Sequence, residues 1–210
     1  MSHYFIENPA IMTDERKLNA EILGLQFNFL TNNGLFSCDK IDEMSRLLIE
    51  NLPPLKGSFL DLGCGYGVIG IALAKKYNLS LTMSDVNSIA LSYAAKNAKL
   101  NNVSAITVHS DSFENINGSF DTITLNPPIH AGKDVMYKMY EEAAQHLNPS
   151  GSFYVVIQKK HGAESTLRKL NEVFGNRCVA IHKRKGCFVY QCAMASSVSE
   201  TSNPLYIQIG

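Results

Sequence analysis

The sequence predicts an α/β fold: a mostly parallel sheet of seven strands, with helices on both faces and an antiparallel hairpin at its C-terminal edge. Three observations predict it. From residue 59 onward, short apolar runs alternate with helical patterns. A glycine-rich turn joins the first of these runs to the first helix. Only the turn residues 183–186 separate the last two runs, which is the pattern of a hairpin.

The length and composition fit one sizeable domain with short additions. The chain has 210 residues, of which 45% are hydrophobic. We expect an N-terminal extension over 1–52, a core domain over 53–195 and a C-terminal tail over 196–210.

The N-terminal extension is expected to contain a short hairpin and a helix. Alternating apolar residues between 23 and 29 predict a strand, and Asn33-Gly34 predicts the turn that follows it. A helix is predicted over 40–51, with Ser37 or Asp39 as its cap.

The core elements follow from apolar runs and their flanking turn residues. Strands are predicted near 59–62, 80–84, 105–108, 120–125, 151–158, 177–182 and 187–194. Helices are predicted near 68–77, 88–100, 133–147 and 163–173.

Charge and cysteine content exclude several classes of protein. Lys and Arg together number 19, as do Asp and Glu, so the chain is not a general polyanion binder. The five cysteines include no C-x-x-C pair, which indicates free thiols in a reducing compartment and no zinc site. Without a signal sequence or a spanning apolar run, we expect a cytoplasmic protein with no membrane or metal partner.

The turn after the first core strand predicts a nucleotide-type cofactor. It reads Asp61-Leu62-Gly63-Cys64-Gly65-Tyr66-Gly67, and such a turn lets a ligand approach bare backbone at a helix N-terminus. Residues 65–70 also satisfy GxGxxG, with Asp85 about twenty residues on, as in dinucleotide-binding domains. Asp61 disfavours that alternative because it would repel a pyrophosphate, whereas it suits a cationic cofactor.

Two further acids follow predicted strands, where ligands of open parallel sheets bind. Asp85 could accept hydrogen bonds from ribose hydroxyls, or it could cap the helix beginning at Ser88. Asp111 could accept from an adenine amino group while Phe113 or a neighbour packs on the ring, or it could be a loop residue.

A rigid motif, Asn126-Pro127-Pro128, follows the fourth core strand. The prolines stiffen the backbone, so the Asn126 side-chain oxygen and the Pro127 carbonyl face one place. Two fixed acceptors suit a planar amino group. Accepting both of its protons favours the geometry that the nitrogen adopts as it attacks a methyl group. A structural Asn-Pro turn is the alternative.

Two motifs support a family resemblance. The pattern 61–67 resembles the D-x-G-x-G loop of class I S-adenosyl-L-methionine-dependent methyltransferases, whose Rossmann-like sheet ends in an antiparallel hairpin. The string Asn126-Pro127-Pro128-Ile129-His130-Ala131-Gly132-Lys133 resembles the ribosomal RNA small-subunit methyltransferase C family, which methylates guanine-N2. The chain is similar to the short, single-domain relatives of that family.

The resemblance implies a role for each matching residue. It implies Asn126, Pro127 and Pro128 as catalytic residues. It implies cofactor contacts by Asp61, Gly63, Cys64, Gly65, Gly67, Asp85, Val86, Asp111, Ser112 and Asn126. It implies substrate contacts by Ile129, His130, Lys133 and Phe36, although Phe36 could instead pack in the core. Candidate phosphate contacts are Lys133, Lys159, Lys160, His161, Lys183, Arg184 and Lys185.

The implied partner is ribosomal RNA or the small ribosomal subunit, bound by a monomer or a dimer. The alternatives are a methyltransferase acting on glutamine of a protein or on adenine-N6, and a non-catalytic cofactor-binding domain that contacts RNA. Enzymes acting on glutamine or adenine usually carry an aromatic residue after N-P-P. Ile129 occupies that position here, which favours guanine.

Overall fold

The computed structural model describes residues 14–194. The tail predicted at 196–210 lies outside the described residues, as does the start of the predicted N-terminal extension. From β3 onward, the order of strands and helices is as predicted. The elements are β1 Glu15–Ile22, β2 Leu25–Asn32, α1 Glu43–Asn51, β3 Ser58–Leu62, α2 Val68–Tyr77, β4 Ser80–Asp85, α3 Ser88–Leu100, β5 Ala105–His109, β6 Phe120–Leu125, α4 Lys133–Gln145, β7 Leu147–Gln158, α5 Ala163–Val173, β8 Cys178–Arg184 and β9 Cys187–Ala193. Short 3-10 turns follow β6 and β7, at Ile129–Ala131 and Lys159–His161.

The main sheet has seven strands in the order β5-β4-β3-β6-β7-β9-β8. The first five are parallel, while β9 runs antiparallel to both β7 and β8. The predicted α/β class and its C-terminal hairpin are therefore confirmed. Because β3 lies between β4 and β6, the turn after β3 lies at the centre of the edge where the parallel strands end.

Two apolar layers cover the two faces of this sheet. Successive residues of β3 alternate between them, with Phe59 in one cluster and Leu60 and Leu62 in the other. Helices α1, α2 and α3 and the β1–β2 hairpin contribute to the first cluster, and α4 and α5 to the second. The hairpin and α1 thus pack on the same core as the glycine-rich turn after β3.

The N-terminal hairpin differs from its prediction. Its turn is Leu23-Gly24, with φ of 52° and 75°, and not Asn33-Gly34. The alternation from Leu23 to Phe29 counts Leu23 as a strand residue, although Leu23 lies in the turn. A leucine in the left-handed region is also no turn signal. The turn predicted at Asn33-Gly34 is present, since Leu35 N–H donates to the Asn32 carbonyl at 3.0 Å, but it begins the loop that leads to α1.

Helix α1 begins at Glu43, and the predicted caps Ser37 and Asp39 are wrong. Asp42 is the cap, since its Oδ2 accepts a hydrogen bond from the Ser45 backbone N–H at 2.8 Å. The Ser37 hydroxyl instead donates to the Lys40 carbonyl, 2.7 Å away.

Two buried asparagines, Asn97 in α3 and Asn101 at its C-terminal cap, attach the hairpin to the core. The Asn97 side chain accepts from Leu30 N–H at 2.7 Å and donates to the Leu30 and Tyr66 carbonyls, both at 2.9 Å. Asn101 accepts from Asn28 N–H at 3.0 Å and donates to its carbonyl at 2.7 Å. These amides satisfy the backbone edge of β2 as another strand would.

The expectation that all cysteines are free thiols is wrong for one pair. Cys178 and Cys192 are directly opposite each other on β8 and β9, and the structure joins them by a disulfide. Cys38, Cys64 and Cys187 are free. No helix formed by residues 14–194 is long and apolar enough to cross a membrane.

Candidate cofactor and methyl-acceptor site

The glycine turn between β3 and α2 provides an open approach to backbone. Gly63, Gly65 and Gly67 have φ of 65°, 56° and 95°, which glycine adopts without strain. A Cβ added at Gly65 would meet no atom within 4 Å, whereas one at Gly67 would lie 2.8 Å from Ile71 Cδ1. Gly67 therefore allows close packing of α2, and Gly65 leaves open space over the turn.

Asp61 lies buried beneath this turn, with 1% of its surface exposed. One carboxylate oxygen accepts from Gly70 N–H at 2.8 Å, and the other from the Thr124 hydroxyl at 3.0 Å. Burial raises the pKa of Asp61 to about 7, although these hydrogen bonds oppose the shift. Asp61 thus links β3 to α2 and β6, and its contact with a cofactor stays a prediction.

Asp85 connects two adjacent loops at the end of β4. Its Oδ2 accepts from Gly65 N–H and its Oδ1 from Asn87 N–H, both at 2.8 Å. Burial raises its pKa, with the Asn87 and Gly65 hydrogen bonds opposing the shift. The alternative that Asp85 caps α3 is wrong, because Asn87 accepts from the first N–H groups of that helix.

The loop after β5 is only partly as predicted. Asp111 is exposed, whereas Ser112 is buried and donates its hydroxyl to Glu142. Phe113 is excluded as the side chain that packs on an adenine ring, because it is buried and stacks on His146 with ring centroids 4.5 Å apart. A neighbour in that role stays a prediction. Val86, which is 37% exposed at the end of β4, is the apolar side chain that remains accessible there.

The Asn126-Pro127-Pro128 motif lies beside the glycine turn, because Leu125 pairs with Leu62 across β6 and β3. The Asn126 side-chain amide donates to Asp42 Oδ2 at 2.9 Å and to Ser45 Oγ at 3.1 Å. Among residues 14–194, its Oδ1 accepts no hydrogen bond. The chain then enters the 3-10 turn, in which Ala131 N–H donates to the Pro128 carbonyl at 2.9 Å.

Asp42 and Ser45 were not among the residues predicted for this site. Their D-x-x-S spacing is typical of a helix N-terminus and could have identified the cap. No pattern in the sequence indicates contact with a residue 84 positions away.

The loop from β2 to α1 borders both parts of the site. Tyr66, in the glycine turn, donates its hydroxyl to the Ser37 carbonyl at 3.2 Å. Asp42, at the other end of the loop, contacts Asn126. Phe36 lies in this loop and is 60% exposed, so the alternative that it packs in the core is wrong.

A cationic rim follows the Asn126-Pro127-Pro128 motif, and we use this name for Lys133, Lys159, Lys160, Arg184 and Lys185. Ile129 is half-buried against the core, while His130 and Lys133 are exposed. A Cβ added at Gly162, after β7, would lie 3.9 Å from Lys133 Cε. The loops after β6 and β7 therefore meet.

Three lysines of this rim line an open cleft of about 340 Å³. Its lining is Gln158, Lys159, Lys160, Lys185, Gly186 and Cys187. The Lys159 N–H donates to the Gly186 carbonyl at 2.7 Å, which holds the β8–β9 turn against the end of β7. Slight burial, with the neighbouring Lys160 and His130, lowers the pKa of His161.

The seven-stranded sheet, with its antiparallel hairpin and its glycine turn at the switch point, defines a class I S-adenosyl-L-methionine-dependent methyltransferase. Residues 26–191 match the model of the family described as "Methyltransferase small domain". The chain belongs to this family.

Three similar proteins set the range of this likeness. "Uncharacterized protein YbxB" of Bacillus subtilis is 37% identical, over 89% of this chain and 96% of its own length. "Ribosomal RNA small subunit methyltransferase C" of Pasteurella multocida is 36% identical over 70% of this chain and 45% of its length. The solved structure of "T. Thermophilus 16S rRNA N2 G1207 methyltransferase (RsmC) in complex with AdoMet and Guanosine" has a TM-score of 0.76 and 27% identity, over 87% of this chain and 51% of that one. The chain therefore spans about half the length of the ribosomal RNA methyltransferases that it matches.

The cofactor of this family is S-adenosyl-L-methionine, and the Thermus structure contains it. The site fits such a group, because the space over Gly65 is open and the Asp85 carboxylate lies directly beside that turn. No group of three or more His, Cys, Asp or Glu that could hold a metal ion occurs in the described part of the chain.

Proposed function

We propose that this protein transfers a methyl group to the exocyclic N2 amine of a guanine in small-subunit ribosomal RNA. The observation that carries the proposal is the Asn126-Pro127 acceptor pair at the end of β6, next to the glycine turn at the end of β3. The Pasteurella relative is named as a ribosomal RNA methyltransferase and the Thermus relative as a 16S rRNA N2 G1207 methyltransferase, and both support the same substrate.

In this proposal, the residues of the glycine turn hold the cofactor from below. Backbone at Gly63, Cys64, Gly65 and Gly67 lines its approach, and Asp61 keeps the turn in position from beneath. Asp85 accepts from the ribose, while Val86, Asp111 and Ser112 border the adenine. When bound, S-adenosyl-L-methionine supplies a methyl group on a positively charged sulfur.

The Asn126 side-chain oxygen and the Pro127 carbonyl would accept the two protons of the guanine amine. The nitrogen lone pair is otherwise delocalised into the ring, so these hydrogen bonds strengthen as the nitrogen becomes pyramidal. Pro128 stiffens the backbone that carries them. A methylated amine is strongly acidic while it is cationic, so its proton can pass to water without a dedicated base.

The target guanine must be unstacked, because its amine is hidden in a base pair. Ile129 offers only a half-buried aliphatic surface to the base. Phe36 is an exposed aromatic ring in the loop that borders the site, and we propose that it packs against the flipped base. His130 and Lys133 would contact the adjoining backbone.

The cationic rim would bind the phosphates around that nucleotide. Lys133, Lys159, Lys160, Arg184 and Lys185 form no ion pair within residues 14–194, whereas several other cationic side chains of the protein do. Lys183 packs over the Phe188 ring, with its ammonium 5.4 Å from the centroid. A neutral chain would thus present a local positive surface to RNA. Ribosomal RNA as substrate also implies a cytoplasmic protein.

The proposal is tested with small ribosomal subunits from cells that lack this protein. We expect tritiated methyl from S-adenosyl-L-methionine to enter the RNA, and nucleoside analysis to yield N2-methylguanosine. Label in adenine-N6 or in a protein glutamine would identify a different substrate and contradict the proposal. Cofactor binding without any transfer would indicate a non-catalytic domain.

The rim is tested with the Lys159→Glu/Lys160→Glu/Lys185→Glu variant. Its matched control reverses the same number of charges at three exposed lysines outside the rim, Lys17→Glu/Lys56→Glu/Lys99→Glu. We expect only the rim variant to lose RNA affinity. The slope of log affinity against log salt concentration should become shallower by about three, one for each phosphate contact removed. Equal losses in both variants would contradict a localised binding surface.

A further inference from the structure

The amide of Asn126 can face the site in two ways, and only one of them presents an acceptor. Asp42 contacts this amide from the N-terminus of α1, at 2.9 Å. A carboxylate only accepts hydrogen bonds, so it fixes the NH₂ end of Asn126 toward itself. The amide oxygen is thereby turned to the opposite side.

We propose that Asp42 is a positioning residue for methyl transfer, which orients and polarises the Asn126 amide so that its oxygen accepts from the target amine. The inference rests on the proposed role of Asn126. It assigns part of the site to a residue that lies in the N-terminal extension.

The geometry around Asp42 makes the arrangement specific. A single oxygen, Oδ2, accepts from the Ser45 N–H at 2.8 Å, the Ser45 hydroxyl at 3.1 Å and the Asn126 amide. The capping hydrogen bond fixes the carboxylate to the first turn of α1, and the backbone of Asp42 also accepts from Arg46 N–H at 3.0 Å. Asn126 is thus held against a folded helix end and not against a mobile side chain.

The charge of Asp42 has a second effect. Hydrogen bonds to an ionised partner are roughly twice as strong as neutral ones, and hydrogen-bonded groups polarise one another. A carboxylate that accepts from the NH₂ end draws positive charge there and increases the electron density on the amide oxygen. A stronger acceptor helps most when the target nitrogen gains positive charge, which happens in the transition state.

The position of α1 gives the extension a role in catalysis. Leu48 and Ile49 bury the helix in the core, so the helix end that carries Asp42 cannot shift freely. The proposed arrangement therefore links the helix of the extension to the acceptor motif at the end of β6.

The test separates positioning from helix capping. Asp42→Ser keeps a good N-cap but has a side chain too short to hold both Ser45 and Asn126. Asn51→Ala is the control, because it removes the hydrogen bond from Asn51 to the Leu47 carbonyl at the other end of α1 without touching Asn126. Single-turnover methyl transfer, S-adenosylhomocysteine affinity and the side-chain NH₂ signals of Asn126 by ¹⁵N NMR are compared.

We expect Asp42→Ser to slow single-turnover transfer about tenfold to a hundredfold, with cofactor affinity changed by less than about threefold. The Asn126 NH₂ signals, assigned by their loss in Asn126→Ala, should shift. Asn51→Ala should change neither the rate nor those signals.

An unchanged rate in Asp42→Ser would overturn the inference, even if the NMR signals moved. A slower rate with unmoved signals would also overturn it, since Asp42 would then act by another route. If wild-type protein methylates an amine other than guanine-N2, the proposed substrate fails while the same comparison on that amine still tests Asp42. If the wild-type protein methylates no amine, Asp42 positions no acceptor and the inference fails. The NMR signals would then report only the contact between Asp42 and Asn126.

Discussion

The two halves of the site are built in different ways. On the cofactor side, the contacts join residues that lie close in the chain or on adjacent strands, such as Gly70 to Asp61 and Asn87 to Asp85. On the acceptor side, Asn126 is held by Asp42 and Ser45, more than 80 residues earlier. The Asp61 and Asp85 carboxylates thus hold the glycine turn from within the sheet and its adjoining loops, whereas the Asn126 side chain is held directly by the N-terminal extension.

The sharpest way to separate the two halves is Asn126→Ala. We expect methyl transfer to fall about a hundredfold to a thousandfold, because an acceptor used mainly in the transition state is lost. S-adenosylhomocysteine affinity, measured by calorimetry, should change only a few-fold. Equal losses of transfer and affinity would show that Asn126 serves the cofactor side instead.

A pair of glycine substitutions tests the cofactor side alone. Gly67→Ala should lower the free energy of unfolding by about 3 kcal/mol, because it combines a positive φ with contact against Ile71 and Met83. Gly65→Ala should cost about 1 kcal/mol for its positive φ, since its Cβ meets no atom within 4 Å.

The two variants should also differ in their affinity for the cofactor, in a way that their loss of stability does not explain. Gly65→Ala should weaken S-adenosylhomocysteine more than its small loss of stability suggests, because its Cβ occupies the open approach. Urea unfolding and calorimetry provide both measurements. If Gly65→Ala binds as wild type does, the cofactor does not pass over Gly65.

Asp85→Ala should weaken the cofactor by about 2 kcal/mol if a charge-assisted hydrogen bond to the ribose is lost. Part of any loss would come from the Gly65 N–H, which the carboxylate also holds. Asp85→Asn keeps an acceptor for that N–H and should lose less. Calorimetry with S-adenosylhomocysteine checks both variants, and unchanged affinity in Asp85→Ala would withdraw the ribose contact.

The buried acid beneath the turn should produce a pH dependence of stability. The pKa of Asp61 is about 7 in the folded protein, against an ordinary 3.8. Between these values the folded state binds more protons than the unfolded state, so stability falls as pH rises from about 4 to about 7, with a slope of at most about 1.4 kcal/mol per pH unit.

Asp61→Asn should flatten that slope in cofactor-free protein, because an amide can accept from Gly70 N–H and donate to the Thr124 hydroxyl. Urea unfolding at pH 5, 6 and 7 measures the effect. Asp121→Asn is a control with the opposite sign. Hydrogen bonds from Asn148 and Ser58 lower the pKa of Asp121, so this carboxylate stabilises the folded state at higher pH and loses that contribution as the pH falls through the acidic range. An unaltered slope in Asp61→Asn would mean that another group titrates.

Sequence patterns predicted what is local and missed what is distant. The sheet alternation, the glycine turn and the position of Asn126 follow from short motifs, and the fold agrees with them. The hairpin turn was missed because Leu23 adopts a positive φ without any turn signal, and because Leu23 fits the alternation of the strand that follows it. Phe113 was expected near a ligand, but its burial depends on His146 of a different segment. The orientation of Asn126 was not predictable, because the residue that sets it is part of a capping pattern far upstream.

The asparagine attachment of the hairpin bears on how this domain could be trimmed or transplanted. Asn97 serves the Leu30 backbone and the Tyr66 carbonyl with one amide. Deleting the first two strands would remove the Leu30 partners from a buried side chain next to the glycine turn. A fragment of this chain that keeps these contacts therefore has to include the hairpin, and grafting the seven-stranded sheet alone would leave the Asn97 amide without its Leu30 partners.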